Sequence, residues 1–422
     1  MNEEMGGVLM HMADAMLSPA VGGTMALVSA AAIGWSAARL RRTAARELAG
    51  LESGAYDGGD RIVPMMGVFG AFVFAAQMVN FAIPGTGSSG HLGGGILAAA
   101  VLGGPAAMLV MTTVLVIQAL CFADGGLLAL GCNVFNLGVC TTLIGYPLIF
   151  RPMLRLLSGP LPETGIIPSD NHRWRRGVMV ASIVSVVVSL QLGSLGVAIE
   201  TTASGVTELP LIALLAVMQP IHLAIGLVEG IVTAAILTFL IQVRPALPDC
   251  VHSLRRDMAN STTEAGMTPG HGGRRAWSPA CVLTVLMAVT LLTGSIISLT
   301  ASAKPDGLEW SIERVAGTEP HHTSPLHRRA AAIVEHTAIM PDYDYAGASP
   351  TGDESLGEMP ENEPPESAGA VDVANHSAMI PGTSVAGVVG SLFVLLSTLA
   401  IGVCITIRRT RTTPDPVRSE QR

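Results

Sequence analysis

Eight stretches of this chain, near 20–38, 63–83, 106–122, 133–150, 177–199, 209–243, 278–300 and 382–407, are apolar and long enough to cross about 30 Å of hydrocarbon as helices. A ninth and shorter one, 92–104, ends at Gly103-Gly104-Pro105. Only helices and closed barrels satisfy their backbone in lipid, and uninterrupted Leu, Val, Ala and Met runs lack the two-residue alternation of a barrel strand. The sequence therefore predicts an all-α polytopic membrane bundle of about nine transmembrane helices, seven followed by a C-terminal two-helix hairpin. Half of the 422 residues are hydrophobic and 13% are charged, a balance that excludes a water-soluble fold of this length.

Orientation follows from the basic residues, because Lys and Arg beside short loops stay on the cytoplasmic side. Of the 24, five fall in each of 39–61, 151–176, 244–275 and 408–422. The others are Lys304, Arg314, Arg328 and Arg329, all in the long 301–381 segment. Nine crossings with the N-terminus outside and the C-terminus inside fit this pattern, in a bacterial cytoplasmic membrane.

The polar segments divide the chain. Residues 244–276, punctuated by Pro, Gly and Arg, read as a cytoplasmic linker between a membrane domain over 10–243 and a two-helix module over 277–407. The module's outer loop, 301–381, is acidic, and 345–375 has too little hydrophobic surface to offset ordering entropy, so it reads as partly disordered. Its scattered His321, His322, His327, His336 and His376 either gather metal weakly or stay solvated. Residues 408–422 form a basic cytoplasmic tail. The six cysteines show no C-x-x-C pairing and read as small packing residues. No G-x-x-x-x-G-K-[ST] phosphate loop is present, so any ATP-driven transport would draw on another subunit.

Two histidines flank the first spans. His11 lies in Met10-His11-Met12-Ala13-Asp14-Ala15-Met16-Leu17-Ser18-Pro19, and His91 in a Gly/Ser-rich turn on the same expected side. Residues 1–9 carry neither the basic region nor the apolar core of a signal peptide, and they read as a dispensable or mis-assigned extension before a start at Met10. A deprotonated α-amine is a good nitrogen ligand, with an ordinary pKa of about 8. With Met10 at the terminus, its amine, the amide and imidazole of His11, and His91 would supply four nitrogens. Square-planar nitrogen coordination favours Ni(II) or Cu(II) over tetrahedral zinc. Each histidine alone also fits plain hydrogen bonding to loop backbone.

The segments Met10-His11 with Asp14 and Leu17-Ser18-Pro19, 75–95 (AAQMVNFAIPGTGSSGHLGGG), 118–139 (QALCFADGGLLALGCNVFNLGV) and 222–230 (HLAIGLVEG) resemble the CbiM/NikM family. These are substrate-capturing membrane components of energy-coupling factor transporters for nickel and cobalt. The likeness covers about 10–243. A second begins at Pro305-Asp306-Gly307-Leu308-Glu309-Trp310, continues through Met340-Pro341-Asp342-Tyr343 to the last span, and is similar to the PDGLE module that accompanies such components. The resemblance implies a metal held by Met10, His11 and His91. It also implies a transmembrane coupling subunit and cytoplasmic ATP-binding subunits as partners, a transported Ni(II) or Co(II) ion, no cofactor, no nucleic acid and no enzymatic activity. The fused module favours nickel.

Other polar residues in or near the spans have two readings each. Gln77, Asn80, Gln118, Asp124, Asn133 and Asn136 either bond helix to helix or pack the N-terminal loop around the metal. Asp14, Asn80 and Gln118 are the preferred residues for orienting ligands. His222 and Glu229, two turns apart on one helix face, form a buried pair or bundle hydrogen bond, or contact the coupling subunit. Trp35, Trp174, Trp277 and Trp310 lie near span ends and suit interfacial anchoring. A secondary transporter or channel would need a continuous polar path at mid-membrane, which the spans barely offer, and an enzyme would need a clustered base and nucleophile.

Overall fold

The computed structural model describes residues 11–48, 59–159, 171–206, 210–245, 247–259, 277–302, 304–316, 324–345 and 382–407. Residues 1–10, with the expected ligand Met10, lie outside them. So do much of the acidic loop with His321, His322 and His376, most of the linker, and the basic tail.

The N-terminal unit contains α1 (Pro19–Leu48), α2 (Gly59–Gln77), α3 (Gly95–Leu102) and α4 (Gly104–Cys121). It continues through α5 (Leu130–Asn133), a π-bonded stretch Val134–Phe150 and α6 (Arg151–Ser158), which run on as one rod, Leu130–Ser158. Helices α7 (His172–Ser204), α8 (Leu211–Val243) and the short α9 (Asp249–Ala259) complete it. The C-terminal module has α10 (Pro279–Ser295), α11 (Gly307–Ala316), α12 (Pro325–Thr337) and α13 (Gly382–Ile407). Two-residue strands β1 (Phe81–Ala82) and β2 (Ser89–Gly90) pair antiparallel and carry the chain to His91.

Seven of these helices are long and apolar enough to cross a membrane, and α2 has a shorter apolar run, Ile62–Gln77. The expected span 92–104 is not a full helix. Gly94 at φ 77° and Gly103 at φ 82° cut it to the eight residues of α3, about 12 Å at 1.5 Å per residue. Every residue of α3 is buried, so protein rather than lipid surrounds the non-helical backbone at its ends. Gly103 packs against Asp249 of α9, which puts α3 between the His91 end of the bundle and the end that carries α9.

Helices pack where side chains are small, because apolar lipid leaves little hydrophobic drive between them. A Cβ at Gly230 of α8 would lie 2.6 Å from Cα of Ile183 in α7, and Gly294 of α10 meets Gly387 of α13 backbone to backbone. Gly67 and Gly70 of α2 admit Leu395, Leu399 and Val394 of α13, which seats the C-terminal hairpin on the N-terminal unit. Leu27, Ile231, Leu292 and Leu396 remain exposed on the outside, as lipid-facing positions should. Trp35 and Trp277 are exposed too, but Trp174 is 2% exposed and packs in the core, so the anchoring role expected of it does not hold. All six cysteines are free thiols, and Cys281 and Cys404 sit at exposed positions rather than in packing interfaces.

Candidate metal site

The N-terminal segment turns back into the bundle before α1 begins. Met12, Met16 and Leu17 are buried against Ala129 and Cys132, with Ile312 of α11 in the same cluster. Asn133 holds Met12 with both ends of its amide, its Oδ1 accepting from the Met12 N–H and its Nδ2 donating to the Met12 carbonyl, each at 3.2 Å. Asp14 does not reach the histidines. Its Oδ1 accepts the Ala129 N–H at 2.9 Å, anchoring the turn Asp14–Met16 to the 126–129 loop. Burial pushes the Asp14 carboxyl above the usual range, against those backbone bonds.

This clamping brings His11 to His91, 80 positions on in the sequence. Their ring centroids lie 5.5 Å apart, and both side chains line a cavity of about 90 Å³ with Met12, Met218, His222 and Asp306. His11 is 4% exposed, and its Nδ1 lies 3.0 Å from Oδ2 of Asp124. Burial, the largest single effect, disfavours the imidazolium, but the charge and hydrogen bond of Asp124 and the charge of Asp306 together overcome it and raise the His11 pKa. Burial likewise acts against ionised Asp124, yet His11, Tyr343 and His91 together hold that carboxyl below the usual range.

Because an ionised carboxylate only accepts, the proton of neutral His11 sits on Nδ1 and the lone pair is on Nε2. Among the described residues the buried Nε2 has no hydrogen-bond partner, an arrangement that suits a ligand for a borderline-soft cation. A chelate through the amide and imidazole of one histidine closes only through Nδ1, the nitrogen that faces Asp124. His11 as placed thus offers a single imidazole donor. Among the described residues no three His, Cys, Asp or Glu side chains converge as a metal cage.

His91 is placed from below. Oε2 and Oε1 of Glu229 accept the N–H groups of Gly93 and Gly94, each at 2.9 Å. Gln77 donates to the Gly93 carbonyl at 2.9 Å, and Gln118 donates to Gln77 at 2.8 Å. Gln118 therefore acts on His91 at two removes. Asn80 is not at the cavity; its carbonyl takes the Ser302 N–H at 2.9 Å, tying the end of α2 to the C-terminal module. His222 does line the cavity, with Nδ1 2.8 Å from the Met218 carbonyl. Asn136 bonds Glu200 instead.

The C-terminal module closes the site, which sequence reasoning found only in outline. Pro305 accepts the Ser89 N–H at 2.7 Å, beside β2. Asp306 is buried and caps α11 by accepting from Leu308 and Glu309 at 2.8 and 2.7 Å; burial pushes its carboxyl up to about 6. Nε2 of His327 meets the carbonyls of Asp14 and Leu17 at 3.0 and 2.9 Å. Tyr343 donates to Asp124. Asp306 and Tyr343 were visible only as members of recognisable motifs. No local pattern marks His327 among the loop histidines.

Two family models match the chain, cobalt uptake substrate-specific transmembrane region over residues 11–247 and PDGLE domain over 280–409. A protein of Haloquadratum walsbyi named "Putative metal transport protein" is 36% identical over 241 residues, 56% of this chain and 93% of its own length. The "Putative fused nickel transport protein NikMN" of Archaeoglobus fulgidus is 32% identical over 236 residues, 56% of this chain and 67% of its own. A crystal structure titled as a truncated transition metal transporter is 28% identical with a TM-score of 0.43, covering 55% of this chain and 99% of that one.

Proposed function

We propose, for a chain that belongs to the family of cobalt uptake substrate-specific transmembrane regions and carries a PDGLE domain, that it captures Ni(II) at the His11–His91 end of the bundle. It is a nickel or cobalt transport component and not an enzyme. The observation that carries the reading is the meeting of two imidazoles in a small cavity, one of them with a buried nitrogen that has no partner among the described residues. One ion about 2.0–2.1 Å from a nitrogen of each ring would set the centroids roughly 4.5 to 6.4 Å apart, according to the angle at the metal. The observed 5.5 Å falls inside that window.

In the full reading the protein lies in the bacterial cytoplasmic membrane with the capture end outside. It hands the ion inward with a transmembrane coupling subunit and cytoplasmic ATP-binding subunits, as an energy-coupling factor importer does. Residues 10–243 form the capture domain, 244–276 the linker and 277–407 the module that closes the site. Met10 adds its α-amine once it is the terminal residue, and the N-terminal peptide of the purified protein, read by mass spectrometry, should begin there.

Nickel is preferred because nitrogen-only donors suit its square-planar geometry and because the Archaeoglobus relative that this chain resembles is named for nickel. Cells expressing the full subunit set should take up labelled nickel in preference to cobalt, and the reverse preference would assign the site to Co(II). Replacing His11 and His91 by Ala should empty the purified protein of nickel. Unchanged nickel content would remove the basis for the site.

A further inference from the structure

We propose that a second cavity, at the opposite end of the bundle from the histidines, holds an anionic phospholipid. Its phosphate would lie on Arg39 and Arg151, and the upper part of its chains against the apolar wall between α1 and the rod Leu130–Ser158. The inference goes beyond metal capture and does not depend on which ion the protein carries.

Helix length sets the level of this cavity. α1 starts at Pro19, beside the clamped N-terminal segment, and Arg39 comes 20 residues later, about 30 Å along the axis at 1.5 Å per residue. The rod starts next to Ala129, which packs against Met12, and it delivers Arg151 to the same end. Both guanidinium groups thus lie about one hydrocarbon thickness from the His11–His91 site, where head groups are found. Trp35 lines the same cavity and is 56% exposed, the place of an interfacial anchor.

The cavity measures about 300 Å³, against about 90 Å³ at the histidines. Leu40, Ile62, Leu143 and Pro147 supply an apolar wall, which suits a hydrocarbon chain and gives water few partners. The charged lining is Arg39, Arg151 and Asp249. Asp249 is engaged with the protein: its Oδ2 accepts the Tyr146 hydroxyl at 2.7 Å, and its carboxyl packs on Gly103. Two guanidinium groups therefore stand against one carboxylate, and the N-terminus of α4 at Gly104-Pro105-Ala106 adds partial positive charge to the same lining. One phosphodiester complements that surplus, and the planar guanidinium fork matches its oxygens. Basic pockets between transmembrane helices hold anionic head groups in this way. A phospholipid brings the anion and the chain together, so it satisfies both halves of the lining at once.

The test uses the full chain, purified in detergent, with bound lipid read by native mass spectrometry and stability by thermal unfolding. Added phosphatidylglycerol should raise the melting temperature by several degrees, and phosphatidylcholine or inorganic phosphate should not. Replacing Arg39 and Arg151 together by Gln should remove that shift and reduce retained phosphatidylglycerol severalfold. Arg41→Gln, at the same end but outside the cavity lining, should keep both. Ala44→Phe, which fills the cavity and spares both arginines, should also lose the lipid. Equal stabilisation by the two lipids would overturn the inference, as would an equal loss in Arg41→Gln or a full shift with inorganic phosphate alone. If the double variant keeps the lipid and instead loses the coupling subunit on co-purification, the cavity is a protein-docking groove and the lipid assignment falls.

Discussion

Glu229 accepts the N–H of Gly93 through Oε2 at 2.9 Å, deep inside the bundle and two residues after His91. Its other oxygen takes the N–H of Gly94 at the same distance, so one helix of the membrane domain fixes the peptide that leads out of the ligand turn. The expectation that Glu229 pairs inside the bundle is thus met by backbone amides rather than by His222, which instead bonds the Met218 carbonyl.

Glu229→Gln should weaken nickel binding by about tenfold. The amide group would turn an N–H toward one of the two glycine N–H groups, and a buried donor left without its acceptor costs about 1–3 kcal/mol. Calorimetric titration reads the affinity, and co-purification of the coupling subunit reads the other role considered for Glu229. Normal affinity with lost co-purification would transfer the residue to the docking role.

His327→Ala should loosen the N-terminal turn without removing any ligand. Its Nε2 bridges the carbonyls of Asp14 and Leu17, and Ser324 Oγ steadies the other ring nitrogen at 2.6 Å. Amide exchange across residues 12–17 should rise severalfold, and nickel should dissociate faster. Unaltered exchange there would show that the contacts with 126–133 suffice to hold the turn.

Gly125→Ala should abolish nickel retention, whereas Gly23→Ala should be harmless. At Gly125, φ is 84° and an added Cβ would lie 2.8 Å from Cβ of His11 and 3.0 Å from Nδ2 of Asn133. Gly23 has nothing within 4 Å and sits inside α1, where Ala gains helix propensity of about 1 kcal/mol. Thermal unfolding and metal content of the two proteins check the contrast.

Asp306 predicts a pH dependence with a definite sign. Its folded-state pKa, about 6, lies above the ordinary carboxylate value of about 4, so the folded protein binds more protons than the unfolded chain between them. Its contribution is present in full below about pH 4 and is lost as pH rises through about 6. Asp306→Asn keeps a capping oxygen for Leu308 and Glu309, and it should flatten the melting temperature over that window. A wild-type-like slope would assign the titration to another group.

Much of the architecture was written locally. Runs of apolar residues set the helices, and glycines interrupt α3 where Gly94 and Gly103 take positive φ. The short apolar stretch 92–104, counted as the ninth crossing, forms only the eight-residue α3, because apolar composition reports the preference for burial and not the helical length; α3 is buried by its neighbours. Likewise Trp174 has the composition of an anchor but the position of a core residue, since sequence proximity to a span end does not say which way a side chain turns. His11 and His91 were legible as candidates through their motifs. Asn80 ties its own backbone carbonyl to Ser302 of the C-terminal module, a contact no local pattern announces.

The sequence by itself determined a helical membrane bundle, its two modules, and two histidines in recognisable motifs, because hydrophobic length and motif spacing are properties of neighbouring residues. Only the tertiary structure decided that His11 stands beside His91, that Asp124 occupies Nδ1 and leaves Nε2 without a partner among the described residues, and that the far end of the chain brings Asp306 to the cavity, Tyr343 to Asp124 and His327 to the 14–17 turn. Those contacts join residues as many as 313 positions apart. They are set by how small-residue helix faces pack α13 and α10 onto α2, a relation between distant surfaces that no stretch of sequence contains on its own.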